Sequence, residues 1–170
     1  GDANGNYQET EYNSEGQAVG YKTTEYAYAL DGLYVGDMPQ TSYVLGVTLK
    51  PIKDLRIQAI HKMYDKNYSD WSPSAREFDG TNDDADRAQV WEAPSYNRLD
   101  LHMSYKLPKV KDLDMMLTAN IFNVLDEVYV QDAVDNSQYN GYGSKNHLPH
   151  NAEVFLGTPR YANIGLSIGF

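Results

Sequence analysis

Carboxylates are the side chains in this sequence most suggestive of chemistry. The stretch FDGTNDDADR (residues 78–87) gathers Asp79, Asn82, Asp83, Asp84 and Asp86. Hard oxygen ligands at such short spacing suit calcium. The spacing differs from that of an EF-hand loop, which needs glycine at its sixth position and glutamate at its twelfth. A solvated acidic loop is therefore favoured. His147 and His150, three apart in SKNHLPHN, raise a metal or haem role. No ligand cluster lies near them in sequence, so plain loop histidines are favoured, and no metal or cofactor is expected. Phosphate-binding loops, nucleophile elbows and zinc-protease helices are absent. Ser, His and Asp occur, but no spacing singles out a triad. No catalytic residue and no enzyme activity are expected.

Tyrosine is over-used, with 15 Tyr against 4 Phe and 2 Trp. An amphipathic ring suits binding loops and membrane interfaces. Trp71, Tyr139 and Tyr142 fall in long polar connections, where aromatics can stack on sugars or chelates, so they are the substrate-contact candidates. Tyr64 and Tyr129 read as markers of an outer membrane interface. A net charge of −10 argues against nucleic acid. With no cysteine there are no disulfides or thiolate metal sites. No apolar run approaches the roughly 20 residues of a membrane helix, which says nothing of β-strands.

The elements that must position these residues are strands. Period-two alternation recurs, and helical periodicity is hard to find. Strands are expected at about 42–50, 55–68, 96–107, 113–130 and 154–170. Residues 1–40, which open on the polar run GDANGNYQETEYNSEGQAVG, read as a long loop region leading in, so the chain is expected to be a fragment of something longer. Tyr43, Leu45, Val47 and Leu49 share one face, as do Leu55, Ile57, Ala59 and Met63 with His61 breaking the pattern. Leu99, Leu101, Met103, Tyr105 and Leu107 alternate with Arg98, Asp100, His102 and Lys106. Pairing Leu107 with Leu113 and Leu49 with Leu55 puts Tyr105 opposite Met115, Met103 opposite Leu117, Leu101 opposite Ala119 and Val47 opposite Ile57, all on one side, and leaves an unexplained apolar Val44–Ile60 pair on the other. It also sets Lys106 opposite Asp114. The turns at 51–54 and 108–112 are tight, whereas the connections near 69–95 and 131–153 are long. Outer-membrane barrels show this asymmetry, with short turns on the periplasmic side and long loops outside. Arg98, Asp100, His102, Lys106 and Asp114 would then face the lumen, where mixed charges at alternating positions are ordinary filling.

Two stretches carry a resemblance. NIFNVLDEVYV (residues 120–130) resembles the penultimate-strand signature of TonB-dependent outer-membrane receptors, through Asn120, Phe122, Asn123, Asp126 and Tyr129. GTPRYANIGLSIGF resembles the last strand of that family, with Pro159 and Arg160 before it and Phe170 at its end. The same tail resembles the barrel-assembly signal, through Ile164, Leu166, Ile168 and Phe170. LYVGDMPQTSYVLGVTLKP (residues 33–51) resembles the family's loop-to-strand passage, and LDGLYVGDMPQT is similar to receptors of Bacteroidetes-type bacteria.

The resemblance implies an all-β, antiparallel meander forming the C-terminal strands of a transmembrane outer-membrane β-barrel. Such a barrel has about 22 strands and long extracellular loops. It implies a Gram-negative outer-membrane location and import of a scarce solute: an iron chelate, cobalamin or an oligosaccharide. It further implies energy from the TonB complex through a plug that this sequence lacks, along with outer-membrane lipid, the barrel-insertion machinery and a surface lipoprotein cap as partners. The rival expectation is a secreted, soluble all-β module that holds carbohydrate with Tyr-rich loops, its apolar strand faces buried in a sandwich.

Overall fold

The structure is a computed structural model that describes residues 7–24, 27–78, 86–137 and 146–170. It is all-β and antiparallel, with no α-helix among the described residues. Two compact units divide it. One comprises residues up to 33 with 72–88, and the other comprises 34–71 with 89–170.

In the first unit β1 (Tyr7–Tyr12) and β2 (Ala18–Thr24) form a hairpin with a bulge at Glu11/Tyr12. Its turn is tied by Asn13, whose Oδ1 accepts from the backbone N–H of Glu15 (3.0 Å) and Gln17 (2.9 Å). The opening region expected as loop thus carries regular structure. Two-residue strands β3 (Ala27–Tyr28) and β6 (Glu77–Phe78) pair in the same unit, and Arg76 is buried in an ion pair with Asp86 at 2.9 Å.

The second unit is dominated by one sheet. Its long strands are β4 (Pro39–Leu49), β5 (Leu55–Tyr68), β8 (Tyr96–Lys106), β9 (Asp114–Phe122) and β12 (Tyr161–Gly169). They lie side by side in chain order as a meander, and the short β7 (Glu92–Ala93) adds to the end of β5. The expected 113–130 strand breaks at Asn123, and the expected 154–170 strand breaks at Gly157–Arg160. The freed pieces, β10 (Val130–Asp135) and β11 (Ala152–Leu156), form a separate hairpin.

The registers keep the expected parity but slip by two residues. Leu49 pairs with Ile57 and Val47 with Ala59; Tyr105 pairs with Leu117 and Met103 with Ala119. The physical reason is where each turn bends. In the second hairpin the bend lies at Lys111–Asp112, with Lys111 at φ 55°, and Val110 and Leu113 pair across it. Pro108 has no N–H for the ladder, and an extra residue is accommodated beside it. In the first hairpin Asp54, at φ 66°, closes the turn after Pro51. The slip also resolves the odd apolar pair, because Val44 lies opposite Lys62 and Ile60 opposite Asp100.

A shift of two leaves each side chain on its face. One face reads in rows across the sheet, such as Ile164–Ala119–Met103–Ile57–Leu49 and Ala162–Ile121–Leu101–Ala59–Val47. Leu166, Leu117, Tyr105 and Leu55 make another row. Among the described residues of this unit no second layer covers these rows. Ile164 is 78% exposed and Leu45 67%, while Leu101 and Leu117 are half-buried by strand neighbours alone. No Leu, Ile, Met or Phe is buried anywhere among the described residues. The buried apolar set of this unit is Tyr68, Val90, Ala93, Tyr96, Tyr129 and Ala133, gathered at the end of the sheet away from the tight turns.

Gly157 shows how closely that end is packed. A Cβ on it would fall inside the Tyr129 ring, whose carbonyl accepts the Gly157 N–H at 2.9 Å. Tyr129 cannot yield, being stacked on Tyr96 with centroids 4.2 Å apart. Gly157→Ala is expected to cost about 1–3 kcal/mol through overpacking, read as a lowered denaturation midpoint.

Candidate functional site

The opposite face of the large sheet is polar, and it holds all five charged residues singled out from the sequence. At its centre is Asp100, almost fully buried. It pairs with Lys62 at 3.0 Å, lies 3.7 Å from the Arg98 guanidinium and accepts the backbone N–H of Asn123 at 3.0 Å. Parity puts Lys62 and Arg98 beside each other on neighbouring strands, and Asp100 sits one step along to neutralise both. Next comes a hydrogen-bonded row. Asn120 Nδ2 donates to Asn163 Oδ1 at 2.7 Å, which leaves Asn120 Oδ1 to accept from His102 Nδ1 at 2.8 Å. That orientation requires the His102 proton on Nδ1. His102 also meets Phe122 edge-on at 5.4 Å. A polar cleft of about 210 Å³ runs beside this row, lined by Arg56, Gln58, His102, Ser104, Thr118 and Asn120. Nearer the tight turns, Lys106 (3.5 Å) and Lys109 (3.7 Å) share Asp114. The slipped register sets Met116, not Asp114, directly opposite Lys106, so this ion pair runs diagonally.

The residues behind the resemblance have structural work. Asn123 is fully buried at φ 51°, a conformation asparagine tolerates. Its Nδ2 donates to the carbonyls of Glu127 (2.9 Å) and Thr158 (3.2 Å), and its Oδ1 accepts the Glu127 N–H at 3.1 Å. It thereby ties the exit of β9 to the entry of β12. Asp126 completes the tie by accepting the Arg160 N–H at 3.0 Å and facing its guanidinium at 3.4 Å. Phe122 stacks on Tyr161 at 4.7 Å. Asn120 and Tyr129 have the roles already given.

Tyr64 and Tyr129, expected at a membrane interface, are drawn into one aromatic stack. Tyr64, Tyr96 and Tyr129 form a stack on the polar face, with centroids 4.9 and 4.2 Å apart, and Arg98 lies 5.6 Å from the Tyr129 ring. Even numbering within the strands sends Tyr64 and Tyr96 to the same side as Arg98. Of the loop aromatics, Trp71 is half-buried and donates its indole N–H to the Tyr34 carbonyl at 2.9 Å. Tyr139 and Tyr142 lie outside the described residues, as do Asp79, Asn82, Asp83 and Asp84 of the acidic stretch. Asp86, its remaining oxygen ligand, is held by Arg76.

Tertiary structure also assembles a Ser, His and Asp cluster that no spacing suggested. His147 Nδ1 lies 2.7 Å from Asp135 Oδ2 and 2.9 Å from Ser137 Oγ, and Ser137 Oγ donates to Asp135 Oδ2 at 2.9 Å. A nucleophile triad needs acid and hydroxyl on opposite ring nitrogens. Here both share Nδ1, and the buried cluster clamps the segment after β10 to the one before β11. His150 is exposed in the following turn. Elsewhere at this end, Asp37 faces Asp70 and Asp132, whose negative charge, aided by slight burial, raises its carboxyl above the usual range. Among the described residues no group of three or more His, Cys, Asp or Glu is arranged to hold a metal.

Ile164, Leu166 and Ile168 lie exposed on the apolar face of the edge strand β12, and Phe170 ends the chain beyond it, at the tight-turn end. Comparison with protein-family models, curated proteins and solved structures finds no match.

Proposed function

We propose that this chain forms the last five wall strands of an outer-membrane β-barrel of the TonB-dependent receptor class. Such a barrel imports a scarce solute, an iron chelate, cobalamin or an oligosaccharide, with energy relayed through a plug and TonB. One observation carries the reading. A five-strand antiparallel meander presents a contiguous aliphatic face that no described residue of its unit covers, and its other face is a network of paired charges and amides. A soluble sheet buries its apolar face in a core; a barrel wall turns it to hydrocarbon and lines a wet lumen with polar groups. Strand lengths support this. The long strands have 11, 14, 11, 9 and 9 residues, against the roughly 9–11 that a tilted strand needs to cross a bilayer. In this reading the tight turns face the periplasm and the β10–β11 hairpin extends outward. The Lys62–Asp100–Arg98 and His102–Asn120–Asn163 groups line the lumen. Both sheet edges, β4 and β12, continue to further strands, since no backbone edge stays unpaired in lipid.

The test is fractionation of native cells. The protein should sediment with outer membranes and require detergent for release. Recovery as a freely soluble monomer would discard the barrel in favour of a secreted binding module.

A further inference from the structure

The two tight turns repeat one composition. Residues 49–55 read LKPIKDL and residues 107–113 read LPKVKDL. Each has a β-branched residue with a lysine within two positions before it and a Lys-Asp pair directly after it, between two leucines. Both β-branched residues point into open space, Ile52 at 59% exposure and Val110 at 52%. The turns are neighbours, because Lys106 donates its N–H to the Asp54 carbonyl at 2.9 Å. Lys50, Lys53, Arg56 and Lys106 line a cleft of about 610 Å³ with Asp54 as its only carboxylate. Within residues 50–56 and 106–114 lie six of the chain's 14 basic residues and three of its 24 acidic ones. A chain of net charge −10 thus carries a positive rim at one end. Among the described residues Lys50, Lys53 and Lys111 have no ion pair.

We propose that this rim binds the phosphate headgroups of anionic phospholipid. The inference rests on the reading of the apolar face as lipid-facing and adds to it a specific lipid contact at the short-turn end. The rim continues that face, whose lowest rows include Leu55, Leu166 and Ile168. Ile52 and Val110 extend the aliphatic surface to the headgroup boundary. The flanking lysines lay their stems along it and lift their ammonium groups to the phosphates. A free phosphate ion would leave the exposed Ile52 and Val110 without a role, and an acidic peptide held in the cleft would meet Ile52 but not Val110, which lies outside its lining.

The experiment uses the full-length protein extracted from its membrane and delipidated in neutral detergent. Native mass spectrometry reads the retention of added phosphatidylglycerol against phosphatidylcholine. Wild type should retain phosphatidylglycerol preferentially, and K50Q/K53Q/K111Q should lose that preference by about fivefold per lysine removed. These side chains are exposed and unpaired, so the fold should be untouched, checked by unchanged urea unfolding. Equal retention of the two lipids by wild type, or a preference that survives the triple substitution, overturns the proposal. Displacement of phosphatidylglycerol by excess inorganic phosphate or by polyglutamate also overturns it, reassigning the site to a soluble anion. A protein that needs detergent yet shows no lipid preference sinks this inference alone. One that leaves the cell without detergent sinks the barrel reading with it.

Discussion

Under the proposed barrel reading, Ile164→Arg is expected to destabilise the protein by about 2–4 kcal/mol in a bilayer, the cost of a charge on a lipid-facing strand near the midplane. Ile164 sits in the middle rows of the apolar face, opposite Ala119, and is 78% exposed. That exposure gives the experiment its force. At a water-exposed position the same change belongs to a class worth within about 0.5 kcal/mol. The two environments therefore predict outcomes separated by several-fold in free energy. Urea unfolding of full-length protein refolded into phospholipid vesicles supplies the measurement. Ser167→Arg, on the opposite face of the same strand, serves as the control and should change little. Equal, small effects at both positions would show that water bathes both faces.

Asn123→Ala should lose about 2.5–5.5 kcal/mol. Three side-chain hydrogen bonds disappear at about 0.5–1.5 kcal/mol each, leaving the Thr158 carbonyl and both Glu127 backbone groups without that partner. Alanine at φ 51° adds roughly 1 kcal/mol of backbone strain. Asn123→Gly separates the two causes, because glycine accepts this conformation freely and loses only the hydrogen bonds. The glycine variant should therefore be the more stable of the two by about 1 kcal/mol. If alanine and glycine are equally damaging, the left-handed backbone at Asn123 costs nothing and the knot is held by hydrogen bonds alone. If neither is damaging, Asn123 does not tie β9 to β12. The β10–β11 hairpin should become the first region cut by protease in both variants, since it leaves the sheet at this knot.

The signature residues gain a physical reading from this geometry. Asn123 and Asp126 both sit at positive φ, where the chain turns sharply out of β9. Asp126 then fixes Arg160 just before β12 begins. A stretch that reads in sequence as one continuous strand is thereby divided into a strand of the large sheet and half of a separate hairpin. Alternation continues through LDEVYV without showing the break, so the hairpin was not legible. Its sign was present only in the identity of two residues that tolerate left-handed backbone.

Hairpin register shows a similar division. Parity was readable, because a slip of one residue would send each leucine to the polar side. A slip of two preserves every face and leaves no mark on the apolar pattern. The bends at Asp54 and Lys111 decided it, and neither carries the Asn-Gly or Asp-Gly signal that would have located them. The Tyr64–Tyr96–Tyr129 stack was not legible for a related reason. A tyrosine suits a membrane interface and a buried polar cluster equally well, and only the third dimension chooses between them. The Asp135–Ser137–His147 clamp spans a connection whose closure no local spacing encodes.

By itself the sequence determined the five long strands of the large sheet and their one-sided character. Side-chain alternation is a property of the chain's own two-residue period and needs no partner to be seen. Tertiary structure alone decided which residues oppose one another, where the chain leaves the sheet and which polar groups close on each other. Those choices depend on turn conformations and long-range hydrogen bonds, whose free energies are settled only when distant segments meet.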